Sequence, residues 1–203
     1  MKRDGRLMLL RGNALFEGAG LYAMGMLCAF FQSSFLFDLS FHLFLILFAL
    51  TKSLQGVLEE DYFYGLLDMI QVQRGEVLDV IWSKIIVSWG AIGGVFSFTS
   101  SMILMSDGMP FLKIWSVLMG VSFITALISL MMGSLVLGSR SLKSGLFIFS
   151  FPIYVPLILG ARWGIEHASN ENLIFLAMGA LLFYAPLCFM VTRQALRAAI
   201  SYK

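Results

Sequence analysis

The sequence predicts an all-α integral membrane protein with six transmembrane helices and a cytoplasmic amphipathic helix between the second and third. Composition is the first observation behind this expectation. The 203 residues are 59% hydrophobic and 13% charged, with a mean hydropathy of +0.87, whereas soluble domains are about half apolar and about a quarter charged. Length is the second: six mostly apolar stretches reach the roughly 20 residues that a spanning helix needs. The third is the gathering of basic residues in alternate connections, as in cytoplasmic loops.

The start, MKRDGRLMLLRG, is basic and then apolar, as a secretory leader would be. Glu17 interrupts the junction and further apolar stretches follow, so a retained first anchor is expected. Glu17 reads as an interfacial acid paired with a nearby arginine such as Arg11. The spans fall at about 17–37, 39–57, 85–105, 112–137, 144–162 and 173–192, and residues 1–203 read as one transmembrane domain. SDGMP (106–110) supplies Asp-Gly and Pro for the turn between the third and fourth spans. GSRSLKSG (138–145) and RWGIEHASNEN (162–172) make the next two connections.

Six spans put both termini on one side. That side, with the 2–3 and 4–5 connections, holds Lys2, Arg3, Arg6, Arg11, Lys52, Arg74, Lys84, Arg140, Lys143, Arg193, Arg197 and Lys203. The other side holds Lys113 and Arg162. Twelve against two puts the termini in the cytoplasm. Lys52 and Lys84 are close enough to the interface to snorkel to it.

The long cytoplasmic connection, 59–77, reads EEDYFYGLLDMIQVQRGEV. At about 2.5–3.5 kcal/mol per acid at mid-bilayer, Glu59, Glu60 and Asp61 exclude burial in lipid. On a helix from Asp61, the apolar Tyr62, Phe63, Leu66, Leu67, Met69 and Ile70 share one face. Asp61, Tyr64, Asp68 and Gln71 share the other. Lipid-surface helices usually carry Lys and Arg on the polar face, so this acidic one suits either a protein partner or plain packing.

Other residues invite weighing. Pro152 and Pro156, four apart in the fifth span, free two backbone carbonyls. They read as a packing kink, or else as a hinge or a polar strip along a path. His42 and His167 fall towards the outer side and read as polar interface residues rather than cofactor ligands. Cys28 and Cys188 each sit alone in apolar runs, and the His/Cys/carboxylate clusters of a metal centre are missing from the sequence. Gly90, Gly93 and Gly94 suit close helix packing. The nearest approach to a phosphate-binding loop, Gly133 to Arg140, has no lysine where one is needed. We therefore expect no catalytic, cofactor-binding or metal-binding residues in this chain, and no nucleic-acid partner.

Three sets of residues together resemble a known family. The first is Glu60-Asp61, Gly65, Leu67-Asp68, Lys84 and Trp89. The second is Pro152-Ile-Tyr-Val-Pro156 after Leu142-Lys143-x-Gly145, and the third is Pro186 ahead of Ala195-Leu196-Arg197. In this order the chain resembles CcmB, haem exporter protein B, the membrane permease of the ABC-type cytochrome c maturation system. The resemblance implies that 59–77 is a coupling helix docked on a separate cytoplasmic ATPase subunit. Glu60, Asp61, Phe63, Gly65, Leu67, Asp68 and Lys84 would then form the docking interface. It further implies a homodimer in a bacterial inner membrane, haem as substrate, ATP used by the partner subunit, and other haem-handling membrane proteins as partners. The role implied is haem export or ATP-driven release of haem to a periplasmic chaperone, and not an enzyme's. The rival readings are an exporter permease for lipid, polysaccharide or drug, and a membrane scaffold that transports nothing.

Overall fold

A computed structural model describes residues 13–32, 38–63, 77–106, 110–136, 146–167 and 170–201. Every regular element among them is helical: α1 (Asn13–Phe31), α2 (Leu39–Phe63), α3 (Val77–Ser88), a π-turn (Trp89–Gly93), α4 (Gly94–Met105), α5 (Phe111–Val136), α6 (Leu146–His167) and α7 (Asn170–Ser201). Three segments are long and apolar enough to cross a membrane: Ile85–Met105, Phe111–Leu135 and Ala177–Leu196. Phe16–Phe31 and Leu39–Gln55 are shorter apolar helices.

Local chemistry sets several ends. Before α2, the Asp38 carboxylate accepts the Ser40 amide at 2.9 Å, and its carbonyl accepts the amides of Phe41 and His42. This is an N-cap, which satisfies donors that a helix start leaves unpaired. At the end of α4, Ser106 turns its hydroxyl back onto the Ile103 carbonyl at 2.6 Å. Pro110 then opens α5 by accepting the Ile114 amide at 3.2 Å.

Side-chain neighbours fix the helix directions. Gly18 faces Ala49 and Gly25 faces Leu45, so α1 and α2 run antiparallel. Thr51 meets Ser129 and Leu58 meets Gly133, so α2 and α5 run parallel. Trp89 meets Ser122 and Phe98 meets Phe111, which makes α3–α4 antiparallel to α5. Tyr154 meets Ser129 and Ile165 meets Lys113, which does the same for α6. In α7, Ala177 lies beside the first half of α5 and Phe189 packs, tilted, on Trp82 at the start of the α3–α4 rod, so α7 descends beside α5. Successive traverses therefore alternate. One end of the bundle carries Lys113, Arg162 and Glu166, and the other carries Glu17 and Lys52.

The core lies around α5. Of its most apolar stretch 72% is buried, against 17% for α7. The α2 residues Leu43, Leu47, Leu50 and Leu54 recur at helical spacing and are all buried. Close approach of helices and interhelical hydrogen bonds add to this apolar burial in holding the bundle together. Gly18 shows the first: a Cβ there would stand 2.6 Å from the Ala49 carbonyl oxygen.

Several helices outrun the expected spans, whereas α1 ends at Phe31, short of the expected 37. Glu59–Phe63 continue α2 instead of opening a separate helix at Asp61. The third traverse begins at Val77, α6 runs on to His167, and α7 covers Asn170–Ser201. At about 1.5 Å per residue α7 is about 48 Å long, well beyond a hydrocarbon core of about 30 Å. A helix need not end where lipid does, because its backbone bonds are internal.

Candidate functional site

The expected docking residues are divided by the structure. Glu60, Asp61 and Phe63 lie in the last turns of α2, and Lys84 lies on α3. Gly65, Leu67 and Asp68, with the rest of 64–76, lie outside the described residues, as does Arg11. Among the described residues Glu17 pairs with Lys52, at 3.4 Å across α1 and α2. Both side chains are about half exposed, so the pair contributes at most about 1 kcal/mol.

Two buried polar clusters bind the bundle internally. In the first, the Ser100 hydroxyl lies 2.7 Å from the Tyr22 hydroxyl and 3.0 Å from His42 Nδ1, joining α1, α2 and α4. The Tyr22 ring stacks on Phe96 at 4.0 Å, and its hydroxyl reaches the Phe96 carbonyl at 3.3 Å. His42 is fully buried. His167, by contrast, is exposed at the end of α6, stacked on Trp163 and 3.9 Å from Glu166.

In the second cluster, Thr51, Ser129 and Tyr154 join α2, α5 and α6. Their hydroxyls lie 3.0, 2.9 and 3.1 Å apart, and Thr51 also donates to the Leu47 carbonyl at 2.7 Å. Tyr154 sits between Pro152 and Pro156. The prolines are exposed while the tyrosine is buried, and α6 runs unbroken through all three.

Beside this cluster a cleft of about 320 Å³ opens between α5, α6 and α7. Small residues form it: Gly120 on α5, Gly160 and Gly164 on α6, and Ala177 and Ala180 on α7. Pro156 also lines it. At Gly120 and Gly160 an added Cβ would meet nothing within 4 Å. Ser116 and Tyr184 are the polar side chains of an otherwise apolar wall.

At the Arg162 end, Lys113 donates to the Ile165 carbonyl at 2.8 Å, satisfying one of the last acceptors of α6. Arg162 binds Glu166 at 2.8 Å and reaches Ser40 at 3.3 Å. On the far side of α5, the Trp89 indole donates to Ser122 Oγ at 2.9 Å and to the Met119 carbonyl at 3.3 Å. Gly93 packs against Ser122 as expected of it, but Gly90 and Gly94 face open space. Among the described residues no group of three or more His, Cys, Asp or Glu could hold a metal ion.

The hydroxyl clusters and the cleft were not anticipated from sequence. A partial signal exists: Ser122, Thr125 and Ser129 recur at helical spacing inside an apolar span, and Ser129 of these joins the second cluster. No family model, curated protein or solved structure compared with the chain matches it.

Proposed function

We propose that the chain is the membrane permease subunit of an ABC transporter serving cytochrome c biogenesis, in haem export or in ATP-driven release of haem to its periplasmic chaperone. The observation that carries this reading is the order of Glu60-Asp61, Gly65, Leu67-Asp68, Lys84, Trp89, Pro152, Pro156 and Pro186 along a chain of apolar helices. In this reading all six traverses cross a bacterial inner membrane. The Lys52 end faces the cytoplasm and the Arg162 end the periplasm, in keeping with the basic-residue count.

ATP is hydrolysed by a separate cytoplasmic subunit, and two copies of this chain form the transport path. Glu60, Asp61, Phe63, Gly65, Leu67, Asp68 and Lys84 dock on that subunit. Because α2 stays helical to Phe63, a displacement of the docked segment would pass into the bundle along a rigid lever. Pro152 and Pro156 supply a hinge in α6.

Leu67→Pro tests the docking role. Proline inside the segment removes an amide and clashes with the preceding turn, at a cost of about 3 kcal/mol, while the apolar helices are untouched. The expected outcome is normal membrane insertion with loss of ATPase pull-down, ATP hydrolysis and holocytochrome c. Phe63→Asp should act similarly and Asp68→Asn more mildly. A Leu67→Pro protein at normal levels that still binds the ATPase and supports maturation overturns the reading.

A further inference from the structure

We infer that Tyr154 is the catch of a hinged arm. Its hydroxyl holds α6 against α2 and α5, and α6 turns about Pro152 and Pro156 to part this seam and admit water from the Lys52 end. Each proline removes the amide that would bond four residues back, so α6 lacks two of the bonds that stiffen a helix. Both prolines are exposed, while Tyr154 between them is buried. The pliant point and the catch therefore share one turn of α6. The far end of the helix is tied, by Lys113 on the Ile165 carbonyl and by Arg162 on Ser40. A turn about the prolines thus moves the arm that begins at Leu146.

Hydroxyls make such a catch reversible, because they have two sets of partners. Closed, Thr51, Ser129 and Tyr154 bond to one another and to the Leu47 carbonyl, with three protons for four short contacts. Open, water takes up each hydroxyl and supplies the proton that the closed seam lacks. An interhelical bond of this kind is individually weak, so the exchange costs little.

Water has a short way to go. Thr51 is one residue, or about 1.5 Å along the helix axis, from Lys52. The Lys52 ammonium pairs with Glu17 where both side chains are about half exposed. The catch therefore lies within a turn of the charged rim of the bundle. This inference rests on the hinge assigned to the two prolines and not on what the chain transports, so it and the docking test at Leu67 fail independently.

Cys188 on α7 reports on the seam, because it is buried and lies beside Tyr154. The test is the rate at which a charged methanethiosulfonate modifies Cys188 in the full-length Cys28→Ser protein in nanodiscs, followed by mass spectrometry. The reaction needs a thiolate, and hence water, so its rate follows opening. Wild type should react slowly. Pro152→Ala/Pro156→Ala, which restores both amides, should slow it several-fold further. Thr51→Val/Ser129→Ala strands the Tyr154 hydroxyl in the closed seam and should react at least about tenfold faster, with Thr51→Val alone in between. Adding Tyr154→Phe to the double variant removes the stranded group and leaves nothing for water to bond. The rate should then return to that of wild type or below. A triple variant as fast as the double would mean that lost contacts merely loosen the bundle, which overturns the proposal. A rate indifferent to the two prolines overturns it as well.

Discussion

Three hydroxyls, Thr51, Ser129 and Tyr154, bring three protons to four short contacts. One contact is therefore always proton-free, and the cluster has one acceptor more than it can serve. Deleting the Ser129 or the Tyr154 hydroxyl leaves two protons for two contacts, whereas deleting that of Thr51 leaves two protons for one. We expect Tyr154→Phe and Ser129→Ala each to cost about 0.6 kcal/mol, the usual size for interhelical bonds in membranes, and Thr51→Val to cost more, because it removes three contacts and leaves one proton over. The double change Thr51→Val/Ser129→Ala strands the buried Tyr154 hydroxyl and should exceed the sum of the singles by about 1–3 kcal/mol. Reversible unfolding in mixed micelles would measure this, and strict additivity would refute the proton count. The two histidines should separate in the same assay. His42→Ala removes a fully buried, hydrogen-bonded ring and should cost about 1–3 kcal/mol, while exposed His167→Ala should stay within about 0.5 kcal/mol. Sequence could say that His42 and His167 lack ligand company. It could not distinguish them, because burial depends on which face of α2 meets α4.

In the third traverse, the three glycines read alike in sequence and differ in structure. The π-turn runs Trp89–Gly93, closed by the Gly94 amide on the Trp89 carbonyl, and it turns Gly93 towards Ser122 and the other two away. A Cβ at Gly93 would sit 3.0 Å from the Trp89 ring and 3.1 Å from Ser122 Oγ. Gly93→Ala should therefore disturb the indole bond to Ser122 and lower the unfolding temperature. Gly90→Ala and Gly94→Ala should raise stability by about 0.5–1 kcal/mol, because they remove backbone freedom and meet no neighbour. Thermal unfolding of the three variants side by side checks the contrast. The apolar middles of the elements were legible because a window of roughly 20 residues averages over local exceptions. Their ends were not. Glu59–Phe63, Trp163–His167 and Arg193–Ser201 carry polar groups that argue against lipid, yet continue their helices.

For the whole molecule, alternating traverses and the charge asymmetry together predict sidedness. Ser106, exposed after α4, lies at the Arg162 end. In a background free of Cys28 and Cys188, Ser106→Cys should react with an impermeant maleimide added from the periplasm. Reaction only from the cytoplasmic side would invert the arrangement. The alternation of the traverses was legible from the order of the apolar stretches and their connections, and the labelling of Ser106→Cys decides which end the Lys and Arg count places inside. The cleft was not, because Gly120, Gly160 and Ala177 acquire meaning only once three helices from distant parts of the chain converge. The π-turn has a consequence for how this gene tolerates change in length. A π-turn equals one residue inserted into an α-helix, so deleting Ala91 would restore plain helical phase without breaking the rod. Everything before it would then rotate by about 100° relative to everything after. Ile85 and Ser88, now buried, would swing outward while Ser97 and Ser100 kept their places. A one-codon deletion here should thus leave an intact helix that presents the wrong side of α3 to the bundle, together with the stretch of chain that leads into it.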